Sequence, residues 1–170
     1  MSSKMSHHHH KAPFVTAGLL LIVTILTGVG TFTDYWFKSN DFHSGIYHWG
    51  KSDAGTLFKK DPGWLKCVVV CQLMAFSFEL LFCLLVIPAI LFRKMMPVHA
   101  ACTILSLVIF ILLVISSIVF AANVGSYNNV LFKFKVGWSW GISLAATILS
   151  FFLLLVSGSA TGYGTYSEYR

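Results

Sequence analysis

Glu79 is the residue whose type and position most directly suggest chemistry. It lies in the middle of an apolar stretch that runs from Trp64 to about Phe92. A charged side chain at the centre of a bilayer costs at least about 2.5 kcal/mol, so Glu79 is protonated, faces the interior of a helical bundle or meets a polar partner. Gln72 lies seven residues earlier, two helical turns away, and shares its face. Hydroxyl groups at a similar depth are offered by Ser116, Ser117, Ser143 and Thr147.

Two interpretations of Glu79 are open. It can belong to a proton or ion relay, which would make the protein a small transporter or a proton-conducting protein. It can instead form, with Gln72, a buried polar cluster that fixes how the helices pack. A relay usually needs several ionisable groups in series, and no other Asp, Glu, Lys, Arg or His lies at that depth. We therefore favour the structural interpretation.

The other reactive residue types do not form a recognisable site. The histidine run from His7 to His10 has no cysteine partners and is expected to be a solvated tail. No nucleophile has an adjacent base, and no phosphate-binding glycine loop is present. The sequence therefore predicts no catalytic residue, no cofactor and no metal site, and a protein that is not an enzyme. The cysteines lie in or beside apolar segments without disulfide or zinc spacing: Cys67, Cys71, Cys83 and Cys102.

Hydropathy predicts the helices on which these residues lie. The chain is 56% hydrophobic and 11% charged, whereas soluble domains are about a quarter charged. One helical crossing of a bilayer needs roughly 20 apolar residues. Four stretches satisfy this requirement, so we predict an all-α membrane protein whose helices cover about 12–33, 64–92, 98–122 and 136–157. The net charge of +6 is scattered over loops and tails, which argues against nucleic-acid binding.

The segments around the helices complete this organisation. A single transmembrane domain spans residues 12–157, with loops at 34–63 and 123–135 and tails at 1–11 and 158–170. We expect both tails in the cytoplasm and both of these loops outside the cell. The total count of basic residues does not decide this orientation. The tight connection at Arg93 and Lys94 contains no acidic residue, however, whereas the long loop contains several.

Small residues recur at four-residue intervals in the fourth helix, at Gly137, Gly141 and Ala145. Such spacing lets the backbone of a second helix approach closely. That second helix can belong to the same bundle or to another copy of the chain. We favour packing within the bundle and keep homo-oligomerisation as the alternative.

The first loop carries the residues that allow a comparison with a known family. Thr33-Asp34-Tyr35-Trp36 directly follows the first helix, and the segment from His43 to Trp49 reads HSGIYHW. This pattern resembles the superfamily of claudins, epithelial membrane proteins, peripheral myelin protein and calcium-channel gamma subunits. Members typically show a Trp after the first helix, then Gly-Leu-Trp, then two cysteines. Here both cysteines are absent and the loop is short. The residues that carry the resemblance are Trp36, Gly45, Ile46, Tyr47 and Trp49.

The resemblance implies both a fold and a function. The fold is a left-handed bundle of four transmembrane helices with a small extracellular β-sheet, formed mainly by the first loop. The segment Val130 to Lys135 alternates like a strand and can join that sheet. In the resembled family a disulfide between the two loop cysteines normally holds this sheet, so a sheet here would depend on packing and hydrogen bonds alone.

The implied function is protein–protein interaction in the plasma membrane. The protein would act at cell–cell junctions and in adhesion, or as an auxiliary subunit of a membrane channel. Its partners would be lipids and other membrane proteins, including like proteins on the same or an adjacent cell. A lipid-organising role of the myelin type is a further alternative, since it requires no side-chain signature.

Overall fold

Four helices form the described part of the protein. The computed structural model describes residues 12–38, 43–46, 62–91, 96–125 and 135–168. The helices are α1 (Ala12–Phe32), α2 (Gly63–Leu91), α3 (Met96–Val124) and α4 (Trp138–Glu168). Each contains a span of 19 to 27 residues that is long and apolar enough to cross a membrane. The prediction of a four-helix, all-α membrane protein is therefore confirmed.

Local hydrogen bonds mark the end of α1, just before the first loop, and the start of α2, just after it. At the end of α1, the amide and the hydroxyl of Thr33 both donate to the carbonyl of Val29, at 3.2 and 2.6 Å. At the start of α2, the amides of Leu65 and Lys66 donate to the carbonyl of Pro62, at 3.0 and 3.2 Å. Proline suits a helix start because its missing N–H would have no partner there.

The helices pack in a ring in which each one contacts its two neighbours in chain order, and α4 closes against α1. The contacts of α2 with α3 and of α1 with α4 are the most extensive. About a third of each span is buried within the bundle. The remaining surface is apolar, as shown by Leu84 and Ile118, which are 66% and 62% exposed. This surface suits contact with lipid tails. The middle of the core contains Leu20, Ala75, Phe82, Ile109, Leu113 and Leu153.

A three-stranded antiparallel sheet lies where α1 ends and α4 begins. Its strands are β1 (Phe37–Lys38), β2 (His43–Ser44) and β3 (Lys135–Val136), in the order β2-β1-β3. Phe37 pairs with Ser44 and with Val136, while Lys38 pairs with His43 and with Lys135. We call the end of the bundle that carries this sheet the sheet end.

The ends of the fourth helix differ from those predicted. Val136 belongs to β3, and α4 begins only at Trp138. The cause is a contact between residues that are distant in sequence. The amide of Gly137 donates to the carbonyl of Trp36 at 2.9 Å. At the other end, α4 continues to Glu168 through most of the segment predicted as a tail. Ser157 and Ser159 stay helical while their hydroxyls bond to carbonyls of the preceding turn.

The other helix ends lie within two residues of those predicted. α3 is longer by two residues at each end. The tail 1–11 and residues 130–134 of the expected strand lie outside the described residues. Most of the first loop, including Tyr47 and Trp49, also lies outside them. The side of the membrane occupied by each loop and tail stays a prediction.

Candidate interaction site at the sheet end

Trp36 anchors the start of the first loop in an aromatic cluster. Its side chain is fully buried, and its indole N–H donates to the carbonyl of Gly30 in the last turns of α1. The indole packs edge-on against Phe120 of α3, with ring centroids 4.8 Å apart. Phe37 contacts the same Phe120 ring at 5.3 Å and Trp64 of α2 at 6.5 Å. Edge-to-face pairs of this kind contribute about 0.5–1.5 kcal/mol beyond their buried area.

Gly45 and Ile46 bring a later part of the loop back to the same place. Ile46 is buried in the cluster that contains Trp36, Phe37 and Phe120. Gly45 lies so close to the end of α1 that a Cβ atom there would be 2.8 Å from Asp34 Oδ1 and 2.9 Å from the carbonyl oxygen of Thr33. Glycine is therefore required by close approach of the backbone. The structure thus brings together three of the residues that carry the sequence pattern.

Gly137 fixes the start of α4 against the same segment. A Cβ atom at this position would overlap the carbonyl oxygen of Tyr35 and lie 2.6 Å from its carbonyl carbon. The amides of Gly137 and Ser139 donate to the carbonyls of Trp36 and Tyr35, at 2.9 and 3.3 Å. The hydroxyls of Thr33 and Ser139 also lie 2.7 Å apart. The segment after α1 is therefore held from α3 and α4 together.

Sequence reasoning missed several members of this cluster. Phe120 is the ring that Trp36, Phe37, Trp64 and Trp140 all contact. In the sequence it is one of many apolar residues in α3, so no local pattern separates it from residues that face lipid. Phe120 lies seven residues after the buried Leu113 and therefore shares its helical face. This spacing is the one sequence feature that suggests burial of Phe120.

Glu79 is fully buried in the span of α2, as the packing interpretation requires. Its Oε1 accepts a hydrogen bond from the hydroxyl of Thr27 on α1, at 2.9 Å. Its Oε2 is buried and has no hydrogen-bond partner among the described residues. The hydroxyl partner lies on α1, whereas the sequence suggested α3 or α4. One turn earlier on α1, Thr24 Oγ1 lies 4.0 Å from Cys83 Sγ.

Gln72 connects three helices nearer to the sheet end. Its Oε1 accepts from Thr31 of α1 at 3.4 Å, and its Nε2 donates to Ser143 Oγ of α4 at 2.8 Å. Gln72 and Glu79 therefore share a helix but bond to different groups, two turns apart. Further hydroxyl pairs join α3 to α4: Ser117 with Thr147 at 3.2 Å and Ser106 with Ser157 at 2.8 Å. Buried polar groups thus link α1 with α2, α2 with α4 and α3 with α4.

Packing of the small-residue face of α4 within the bundle is not observed for two of its three residues, and its use in homo-oligomerisation stays a prediction. Gly141 and Ala145 are exposed, and a Cβ atom at Gly141 would have nothing within 4 Å. Close approach occurs only at Gly137, which lies before the helix. The physical reason is the rotation of α4 about its own axis. The face that packs against the other helices carries Ser139, Ser143, Thr147 and Ser150. Gly141 and Ala145 therefore lie on the surface that suits lipid.

Comparison with known protein families identifies the family of this chain. The chain matches the family described as "Tight junction protein, Claudin-like" over residues 5–163. No curated protein matches the chain at a significant level. The matched region contains all four helices' membrane spans, the sheet and the aromatic cluster around Trp36. The chain therefore belongs to the claudin-like family of tight junction proteins.

Proposed function

We propose that this claudin-like tetraspan protein acts in the plasma membrane by binding other membrane proteins through its first loop. The observation that carries the proposal is the anchoring of that loop by Trp36 and Ile46 in one buried cluster. Binding segments are commonly loops positioned by a rigid scaffold. The helices supply that scaffold, and the cluster fixes the loop to three of them through Gly30, Phe120 and Leu65.

In the proposed orientation, the sheet end is extracellular and both termini are cytoplasmic. The short basic connection between α2 and α3, with Arg93 and Lys94, then lies in the cytoplasm. This follows the enrichment of Lys and Arg in short cytoplasmic loops. The first loop would then be available to a protein on an adjacent cell or to the outer part of a neighbouring channel.

Two forms of this function are open: a component of cell–cell junctions, and an auxiliary subunit of a membrane channel. Proximity labelling with the full-length chain in native tissue separates them. Enrichment of proteins from cell contacts supports the junction form, and recovery of one channel supports the subunit form. Recovery of neither would refute the proposal.

A matched pair of tryptophan variants tests whether the anchored loop is responsible. Trp36→Ala removes the buried anchor, whereas Trp138→Ala removes an indole that is 49% exposed at the same end of the bundle. We expect Trp36→Ala to lose the labelled partner and Trp138→Ala to retain it. Surface expression of both variants is measured in the same cells, so that loss of folding is distinguished from loss of binding.

A second candidate is proton or ion conduction through Glu79. The observation in its favour is the buried Oε2 atom without a hydrogen-bond partner in the described part of the chain. Reconstituted liposomes test it by comparing ion flux through the wild type and Glu79→Gln. Flux that is above background and lost in the variant would support conduction. Equal flux at background level in both would refute it.

A further inference from the structure

A small apolar patch at the sheet end does not belong to the buried aromatic cluster. Its members are Tyr35, Val136 and Trp138, which are 36%, 45% and 49% exposed. The rings of Tyr35 and Trp138 lie together, with centroids 5.2 Å apart and planes inclined by 30°. Val136 lies two residues before Trp138 in the chain. We call these three residues the outer patch.

The outer patch lies at the level where two membrane spans end. The span of α1 ends at Phe32, three residues before Tyr35, and the span of α4 begins at Trp138 itself. A bilayer has its polar headgroup layer at this level, between the hydrocarbon core and water. Tyr and Trp are enriched there, because each combines an apolar ring with a hydrogen-bond donor. The residue types of the patch therefore suit its depth.

Backbone contacts hold the segments that carry the two rings. The amide of Ser139 donates to the carbonyl of Tyr35 at 3.3 Å, and the amide of Gly137 donates to the carbonyl of Trp36 at 2.9 Å. Gly137 also leaves no room for a Cβ atom beside the carbonyl of Tyr35. The two rings are therefore positioned before binding, and this lowers the entropic cost of binding.

The lipid-facing surface of the helices reaches the outer patch. On α1, Val29 and Phe32 are 38% and 40% exposed in the last turn before Tyr35. On α4, Gly141 is exposed one turn after Trp138. Both helices thus present surface that suits lipid directly beside the patch. The patch continues this surface up to the end of the bundle.

The area of the patch favours lipid over a protein partner. A Tyr or Trp side chain has about 150–250 Å² to bury, so the two partly exposed rings offer about 200 Å² together. A stable protein interface takes about 800 Å² from each partner. The patch alone is therefore too small for a protein. Phospholipids already surround the four spans and can cover it without forming a large interface.

We propose that the outer patch inserts into the headgroup layer of the leaflet at the sheet end and binds phospholipid there. The Tyr O–H and Trp N–H groups are donors, and the ester and phosphate oxygens of the lipid are acceptors. The sheet, whose strand β3 contains Val136, is then seated on the membrane surface. Loss of one ring, as in Trp138→Ala, leaves Tyr35 and Val136 to hold it there. This inference needs no protein partner, so it goes beyond the proposed interaction function and does not rest on it.

The test locates Trp138 by fluorescence quenching in nanodiscs of phosphatidylcholine that hold one full-length chain each. Three quenchers are compared: bromine on the acyl chain beside the ester, bromine at the end of the acyl chain, and iodide in water. Subtracting the emission of Trp138→Phe from that of the wild type leaves the contribution of Trp138. The same subtraction with Trp36→Phe is the matched control, because Trp36 is fully buried. Trp138→Phe keeps an aromatic ring beside Tyr35, so it is expected to fold as the wild type does.

The expected result is strongest quenching of Trp138 by the bromine beside the ester. Bromine at the chain end lies about 15 Å deeper, at the middle of the bilayer, and should quench Trp138 at most about half as strongly. Iodide should quench Trp138 less than it quenches free tryptophan in the same buffer. Trp36 should respond little to any of the three quenchers.

Three outcomes would overturn the inference. Quenching as strong from the chain end as from the ester would place Trp138 in the hydrocarbon core. Iodide quenching equal to that of free tryptophan would place it in water. A lack of quenching by all three would mean that the chain itself covers the patch, since each nanodisc holds a single copy.

Discussion

Two glycines of the fourth helix region offer a direct test of how the sheet end is assembled. Gly137→Ala adds a methyl group where α4 begins beside β1, and Gly141→Ala adds the same group one turn later. At Gly137 the new atom would overlap the carbonyl of Tyr35 and lie 3.2 Å from the carbonyl carbon of Trp36. At Gly141 it would meet nothing within 4 Å. The two changes are chemically identical and differ only in their surroundings.

The structure gives the expected size of each effect. Moving the start of α4 away from Tyr35 breaks the hydrogen bonds from Gly137 and Ser139 to Trp36 and Tyr35. At about 0.5–1.5 kcal/mol for each bond, Gly137→Ala should lower the free energy of unfolding by about 1–3 kcal/mol. Gly141→Ala replaces a helical glycine without a clash and should raise it by about 0.4–1 kcal/mol. The two variants should therefore differ by about 1.5–4 kcal/mol.

The assay is unfolding of the purified chain in mixed micelles by increasing fractions of SDS. Near-ultraviolet circular dichroism follows the tertiary packing of the aromatic cluster, and far-ultraviolet dichroism confirms that the helices persist. If the two variants unfold at the same SDS fraction as each other, the close approach at Gly137 does not contribute to stability. That result would refute the assembly of the sheet end described above.

Three further changes test the buried contacts in the same assay. Trp36→Ala should lower the free energy of unfolding by about 3–5 kcal/mol, as expected for a buried tryptophan, and Trp36→Phe should lower it by less. Equal losses in the two variants would contradict the packing of the Trp36 indole in the aromatic cluster. Gln72→Leu removes two interhelical hydrogen bonds and should cost about 1–2 kcal/mol, whereas an unchanged midpoint would show that the bonds do not hold the helices together. Thr27→Val removes the hydroxyl that donates to Glu79 and should cost about 1 kcal/mol. In a double-mutant cycle with Glu79→Ala the two losses should not add, and strict additivity would mean that the two groups do not interact.

The helices could be predicted from the sequence because the bilayer imposes their length and apolar character. Every backbone N–H and C=O in the hydrocarbon core needs a partner, and a helix provides it within one segment. That requirement acts locally, so hydropathy alone places the spans. It ceases to act at the membrane surface, and there the observed ends of α4 differ from the predicted ones. Val136 pairs with Phe37 of β1 and Gly137 bonds to the carbonyl of Trp36, and both partners are distant in sequence.

The candidate site was predictable only in part, for a related reason. Trp36, Gly45 and Ile46 stand out in the sequence as a family pattern, and the structure brings them together. The inward face of α4 could not be assigned because both of its faces contain small residues. Spacing alone favours Gly141, yet the hydroxyls of Ser143 and Thr147 face inward, where Gln72 and Ser117 bond to them. In a membrane, the choice of face follows from polar partners on other helices.

The polar contacts of α2 also bear on how the protein is made. Helices enter the membrane in chain order, so the hydroxyl of Thr27 is already present when Glu79 arrives, and the first hairpin provides a donor to one oxygen of that carboxyl group. The amide of Gln72 must wait for Ser143, which belongs to the last helix to be synthesised. Until then a strong hydrogen-bond donor stays exposed within the bilayer. A chain that is truncated before α4 therefore retains a mark by which membrane quality control can distinguish it from the finished protein.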